Sequence, residues 1–225
     1  MKTPFVAAVR AIVSKDLRAE WRSRELVSAM ALFSLLTVLV FSFALELDKS
    51  AREAVISGVL WVSLIFASLL GFNRSLSLEH DQGSLDALLL APVSRSALFV
   101  GKLLGNFTFT MLVALMLLPL MTALYGVNLL DGWALLTTVV GVFGFSAIGT
   151  LLATLAVQTR SREALLPIAL LPVCLPFLLT AVRATKGILG GAPQSEWQVW
   201  LQLLATITSI YMVLCLLLYR FVLEE

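Results

Sequence analysis

The chain has 225 residues, 60% of them hydrophobic and 13% charged, with a mean hydropathy of +0.97. Water-soluble domains carry about 25% charged residues, so this chain has about half the charge that a water-facing surface needs, which excludes soluble, disordered and fibrous classes and leaves a membrane protein. A net charge of +2 makes no case for nucleic acid, and Cys174 and Cys215 both sit inside apolar runs, against a disulfide scaffold or a CxxC redox pair.

In chain order, the first element is residues 1–25. Its basic region is long, it carries Asp16, Glu20 and Glu25, and no small-residue cleavage site follows the first apolar run, so it reads as a retained segment rather than a secretory signal. Phe5, Val9, Val13, Leu17 and Trp21 recur every four residues with Arg18 and Arg22 beside them, the pattern of an amphipathic helix lying in the membrane interface. A basic anchor that only fixes topology is the alternative.

Six stretches are long and apolar enough to cross about 30 Å of hydrocarbon: residues 26–45, 54–72, 97–125, 133–157, 164–182 and 200–222. The expected fold class is an all-α membrane protein with six transmembrane helices forming a single domain over residues 1–225, both termini on one side. Lys2, Arg10, Lys15, Arg18, Arg22, Arg24, Arg74, Arg95, Lys102, Arg160, Arg162 and Arg220 share that side, whereas Lys49, Arg52, Arg183 and Lys186 fall opposite. The positive-inside rule makes the richer side cytoplasmic.

The span centres hold no acid, base or histidine, and Lys102 and Arg220, near cytoplasmic ends, are expected to snorkel to the interface. No HExxH, CxxCH or GxSxG pattern occurs, so no catalytic residue is assigned. His80, flanked by Glu79 and Asp81, has no other His or Cys nearby; it reads as a solvated loop residue, and no metal site is assigned. Gly101-Lys102-Leu103 is not a phosphate loop, because no Ser or Thr follows the lysine and the required earlier glycine is Ser96. Any ATP-driven work therefore needs an ATPase on another chain.

The second-to-third connection, residues 74–95, is the most structured segment outside the spans. Gly83 breaks the preceding element, Ser84 is an N-cap candidate, Asp86 suits the first turn and Pro92 stops the helix. Leu85, Leu88 and Leu89 share one face of a helix too short to cross lipid and too apolar to leave in water. That face docks on a cytoplasmic partner's groove or rests on lipid headgroups, and the acidic neighbours favour the partner.

Further on, Gly101-xxx-Gly105 and Gly149-xxx-Ala153, the latter preceded by Gly141, Gly144 and Ser146, are candidate helix-packing sites within the chain or between subunits. Pro167, Pro172 and Pro176 should kink or break the fifth span, as a hinge or as the shaping of a re-entrant outer end. Residues 183–197, with Gly187, Gly190, Gly191 and terminal Trp197, read as the longest external loop, a flexible connector or a surface for an external partner.

The run Asp81-x-Gly83-Ser84-Leu85-Asp86-x-Leu88-Leu89-Leu90-Ala91-Pro92, followed ten residues later by Lys102, resembles the cytoplasmic segment of ABC-2-type export permeases and most closely that of the haem exporter protein B (CcmB) family of cytochrome c maturation. Length, span count, inward termini and basic N-terminal helix agree over nearly the whole chain. The resemblance implies an ABC-2-type exporter permease fold in the bacterial cytoplasmic (inner) membrane. It also implies that Glu79, Asp81, Gly83, Ser84, Leu85, Asp86, Leu88, Leu89 and Pro92 belong to a coupling helix contacting a cytoplasmic ABC ATPase, the A component of the system. It further implies three other partners: a haem-handling membrane protein (the C component), a small membrane protein (the D component) and a periplasmic haem chaperone (the E component). Haem would be substrate rather than bound cofactor, and ATP would act through the ATPase. No histidine lies near the external face, and Met116 and Met121 read as core packing, not haem ligands. An ABC-2 permease for a drug, lipid or polysaccharide, and a non-conducting scaffold relaying ATPase motion, are the alternatives.

Overall fold

A computed structural model describes the backbone of residues 4–44, 49–81, 93–157 and 162–222, and the side chains of 4–44, 55–75, 93–156 and 168–219. The described residues form seven helices: α1 (Phe5–Ser23), α2 (Glu25–Ala44), α3 (Lys49–Asp81), α4 (Arg95–Tyr125), α5 (Gly132–Val157), α6 (Arg162–Leu189) and α7 (Gln194–Val222). Those from α2 to α7 each contain a stretch long and apolar enough to span a bilayer, so the chain ends on the side where it begins.

The bundle has an inner pair and an outer ring. About 72% of the spanning window is buried for α3 and α5, against 22% for α2 and α7. The outer helices therefore turn rows such as Leu32, Leu36 and Val40 on α2, and Ile210, Val213 and Leu217 on α7, outward, as lipid permits and water does not. The inner pair packs closely because α5 carries glycines where aromatic rings from its neighbours arrive. A Cβ on Gly141 would stand 2.0 Å from the Trp61 ring and one on Gly149 2.0 Å from the Phe72 ring, both rings coming from α3. Phe72 stacks on Phe145, while Trp61 meets Phe177 of α6 edge-on and donates from Nε1 to Thr185 Oγ1 at 3.0 Å.

A second, smaller core joins α1 to the bundle at the end carrying the termini, where Ile12, Leu98, Phe99, Leu103, Leu151 and Tyr219 come together. The α1–α2 elbow is made by Arg24, whose φ of 52° lies in the left-handed region. The Glu20 carboxylate accepts from the backbone N–H groups of Val27 at 2.8 Å and Leu26 at 3.3 Å, which have no partner inside the first turn of α2.

The protein-facing row of α1 is Ala8, Ile12 and Asp16, one residue round from the apolar stripe of the expected interfacial helix. The stripe is half-buried at Val9, Val13 and Leu17 and exposed at Phe5 and Trp21. His80 lies in helix α3, not in a loop. The fifth span is unbroken: α6 runs as one helix through Pro167, Pro172 and Pro176. Beside these prolines, Tyr211 Oη of α7 donates to Val173 O at 3.1 Å and Thr180 Oγ1 donates to Phe177 O at 2.8 Å.

The expected external loop at 183–197 is mostly helix. Ala192 N–H bonds Gly187 O at 3.0 Å, Gly191 N–H bonds Ile188 O, and Gly191 adopts φ 63°, the Schellman pattern that stops α6 just past Leu189. Four residues, Gly190–Pro193, then suffice before α7. Arg183 sits 5.5 Å from the Trp200 ring centre and Trp197 packs 5.1 Å from Trp133, so this face is tied down rather than flexible. Met121 is fully buried, as core packing requires, but Met116 is 40% exposed on the outer surface.

Candidate functional site

The segment singled out by sequence hangs between α3 and α4. Gly83, Ser84, Leu85, Asp86, Leu88, Leu89 and Pro92 lie outside the described residues; Glu79 and Asp81 are placed only as backbone in the last turns of α3. What the structure supplies is the frame. On the far side, Ser94 is the N-cap of α4, its Oγ accepting from Ala97 N–H at 3.3 Å.

Both arms of this frame are tied to the N-terminal elbow. On the α3 side, the Arg74 guanidinium bonds the Glu25 carboxylate of α2 at the surface. On the α4 side, Lys102 Nζ donates to both oxygens of Asp16 in α1, at 2.9 and 3.2 Å. Lys102 is 4% exposed, so it does not snorkel as its place near a span end suggested. The reason is α1, which covers the helix start and brings a carboxylate with it.

Gly101 and Gly105 make that seat. A Cβ on Gly101 would lie 2.9 Å from the Ile12 Cβ, and one on Gly105 would lie 3.4 Å from Asp16 Oδ2. The glycine pair, one turn apart, receives Ile12 and Asp16, also one turn apart. Gly149 packs on Phe72, and Ala153 is buried in the main core.

A polar seam that hydropathy does not reveal continues from this clamp between α4 and α5. Asn106 Nδ2 donates to Thr150 Oγ1 at 2.9 Å, Thr154 Oγ1 donates to Thr150 O, and Thr110 Oγ1 and Ser146 Oγ are buried without hydrogen-bond partners. The available signal is spacing: Lys102, Asn106 and Thr110 recur every four residues, as do Ser146, Thr150 and Thr154. Hydrogen bonds of this kind hold transmembrane helices together where no hydrophobic force acts between them. Among the described residues no group of three or more His, Cys, Asp or Glu side chains could hold a metal.

Among the described residues, fold and frame together define an all-helical membrane protein with six apolar helices long enough to span a bilayer, as in a membrane permease. A family profile described as CcmB protein matches residues 7–221, and the chain belongs to that family. It is similar to "Heme exporter protein B" of Rhodobacter capsulatus, 29% identical over 202 residues that make up 89% of this chain and 91% of that protein. It is also similar to the proteins of the same name from Pseudomonas aeruginosa, 25% identical over 86% of this chain and 85% of that one, and Bradyrhizobium diazoefficiens, 25% identical over 83% and 84%.

Proposed function

We propose that this chain is the membrane subunit of a haem export complex serving c-type cytochrome maturation, and that it works with an ATPase on a separate chain. The observation that carries the reading is the match to the CcmB family over residues 7–221, with relatives named as haem exporters that cover most of both chains. The biased distribution of Lys and Arg supports cytoplasmic termini in a bacterial inner membrane. In this reading residues 74–95, Glu79 and Asp81 among them, form the coupling segment that receives the ATPase, with Leu85, Leu88 and Leu89 entering its groove. The C, D and E components handle haem beside or beyond this chain.

The frame supports transmission through that segment. A push on residues 82–92 acts on the ends of α3 and α4, and the clamp at Lys102 carries α1 along with α4. Leu88→Asp and Leu89→Asp should each abolish co-purification of the ATPase in mild detergent while the variant still inserts and keeps its melting temperature. Wild-type recovery of the ATPase with fully coupled ATP turnover overturns this assignment.

A further inference from the structure

The outward side of α1 forms a groove of about 960 Å³ that the proposed function does not use, closed on one side by Leu104 of α4. Three rows run along the helix, each stepping by four residues and each turned about 100° from the next. Ala8, Ile12 and Asp16 face the bundle, Val9, Val13, Leu17 and Trp21 form an apolar strip beside them, and Arg10, Ser14, Arg18 and Arg22 form the outer row. The guanidinium row is about 18 Å long.

The three arginines are exposed, and among the described residues none pairs with a carboxylate. The nearby acids are otherwise engaged: Asp16 by Lys102 and Lys15, Glu20 by the backbone of α2, and Glu25 by Arg74. Phe5, Val6 and Trp21 are 47%, 75% and 77% exposed at the same surface. The groove thus asks for one ligand with an anionic head and an apolar tail. Trp21, exposed just before the first spanning helix, suits the headgroup level.

We infer that α1 is a binding site for an anionic phospholipid of the leaflet on the side of the termini. Lipid phosphates are taken up along the row of Arg10, Arg18 and Arg22 guanidiniums, a row too long for one phosphate to bridge, and an acyl chain lies along Val9, Val13, Leu17 and Leu104. Guanidinium is the side chain suited to phosphate, through paired N–H donors. The site is independent of what the complex transports.

The test is native mass spectrometry of the full chain released from nanodiscs containing equal phosphatidylglycerol and phosphatidylcholine. Each basic residue at an anionic surface contributes about fivefold to partitioning, so wild type should retain phosphatidylglycerol in at least about tenfold preference. R10Q/R18Q/R22Q should lose that preference with its elution volume and melting temperature unchanged. R183Q/K186Q, on α6, should keep it. Retention of the preference by the triple arginine variant, or its absence in wild type, overturns the inference. So does displacement of phosphatidylglycerol by equimolar haem, which would make the groove a substrate site. Should the triple variant fail to insert, 1 M salt, which shortens the Debye length to about 3 Å, should erase the preference in wild type; persistence overturns the proposal.

Discussion

The buried ion pair between α1 and α4 allows a worked test of what holds the N-terminal helix in place. Lys102 and Asp16 side chains are 5% and 10% exposed, and the closest approach is 2.9 Å. At an effective dielectric of about 20 the gross attraction at this separation is about 6 kcal/mol, most of it offset by the cost of taking both charges out of water. Removing one partner is a different matter, because the other keeps its desolvation cost; breaking buried pairs costs about 3–5 kcal/mol, whereas replacing both with apolar groups is often neutral. Asp16→Ala should therefore lower stability by about 3–5 kcal/mol, which for a chain of this size is about 10 °C in melting temperature. Asp16→Ala combined with Lys102→Met should recover most of that loss.

The assay is built into the chain. Cys174 and Cys215 are free and buried, so a thiol-reactive fluorogenic dye reports unfolding of the detergent-solubilised protein on heating. The decisive quantity is the difference between single and double variants. If Asp16→Ala melts within about 2 °C of wild type, or if the double variant is as unstable as the single, the lysine charge is not what the carboxylate compensates. The clamp argument then fails.

Other substitutions probe the same frame. Gly101→Val places methyl groups where Ile12 Cβ already stands 2.9 Å from the Cβ position; overpacking should cost about 1–3 kcal/mol, read as a lower melting temperature and faster proteolysis after α1. Gly58→Ala, with nothing within 4 Å of the added Cβ, should leave melting unchanged or raise it by up to about 1 kcal/mol equivalent. Glu20→Ala removes the acceptor for Leu26 and Val27 N–H and should cost about 0.5–2 kcal/mol, with Glu20→Gln recovering part of it in the same melt.

The spans are legible in the sequence because about 20 apolar residues in a row have few other meanings. Helix starts at Glu25, Arg95 and Gly132 fall within two residues of the expected 26, 97 and 133. The displaced boundaries lie where hydropathy fades before the helix does. Residues 73–81 of α3 and 183–189 of α6 are polar or glycine-containing, yet they continue helices already nucleated in the membrane. Lys102 escapes a sequence reading for another reason: a hydropathy window sees its own neighbours, and the carboxylate that holds this lysine is 86 residues away. The periodicity of α1 reveals an amphipathic helix but not which face docks. That choice is made by the Gly101–Gly105 seat, which fits Ala8, Ile12 and Asp16 better than the bulkier row beside them.

The two ties flanking residues 82–92 are unequal, and this makes a prediction about how motion would pass through the proposed coupling segment. Glu25 and Arg74 side chains are 53% and 48% exposed, and exposed pairs contribute about 0–1 kcal/mol. Asp16 and Lys102 are buried, and their helices also meet through close packing at Gly101. Force entering the segment should therefore pass to α1 through the buried tie on α4, whereas on the other arm α3 is held to α2 by packing, as at Gly71 against Met30, and the exposed Arg74–Glu25 pair adds little to it. Arg74→Ala should change melting by less than about 1 kcal/mol equivalent and leave ATP turnover of the complex coupled. Lys102→Ala in the same complex should uncouple turnover even when the ATPase still co-purifies. Uncoupling by Arg74→Ala together with a silent Lys102→Ala would place the stiff arm on α3 and reverse the argument.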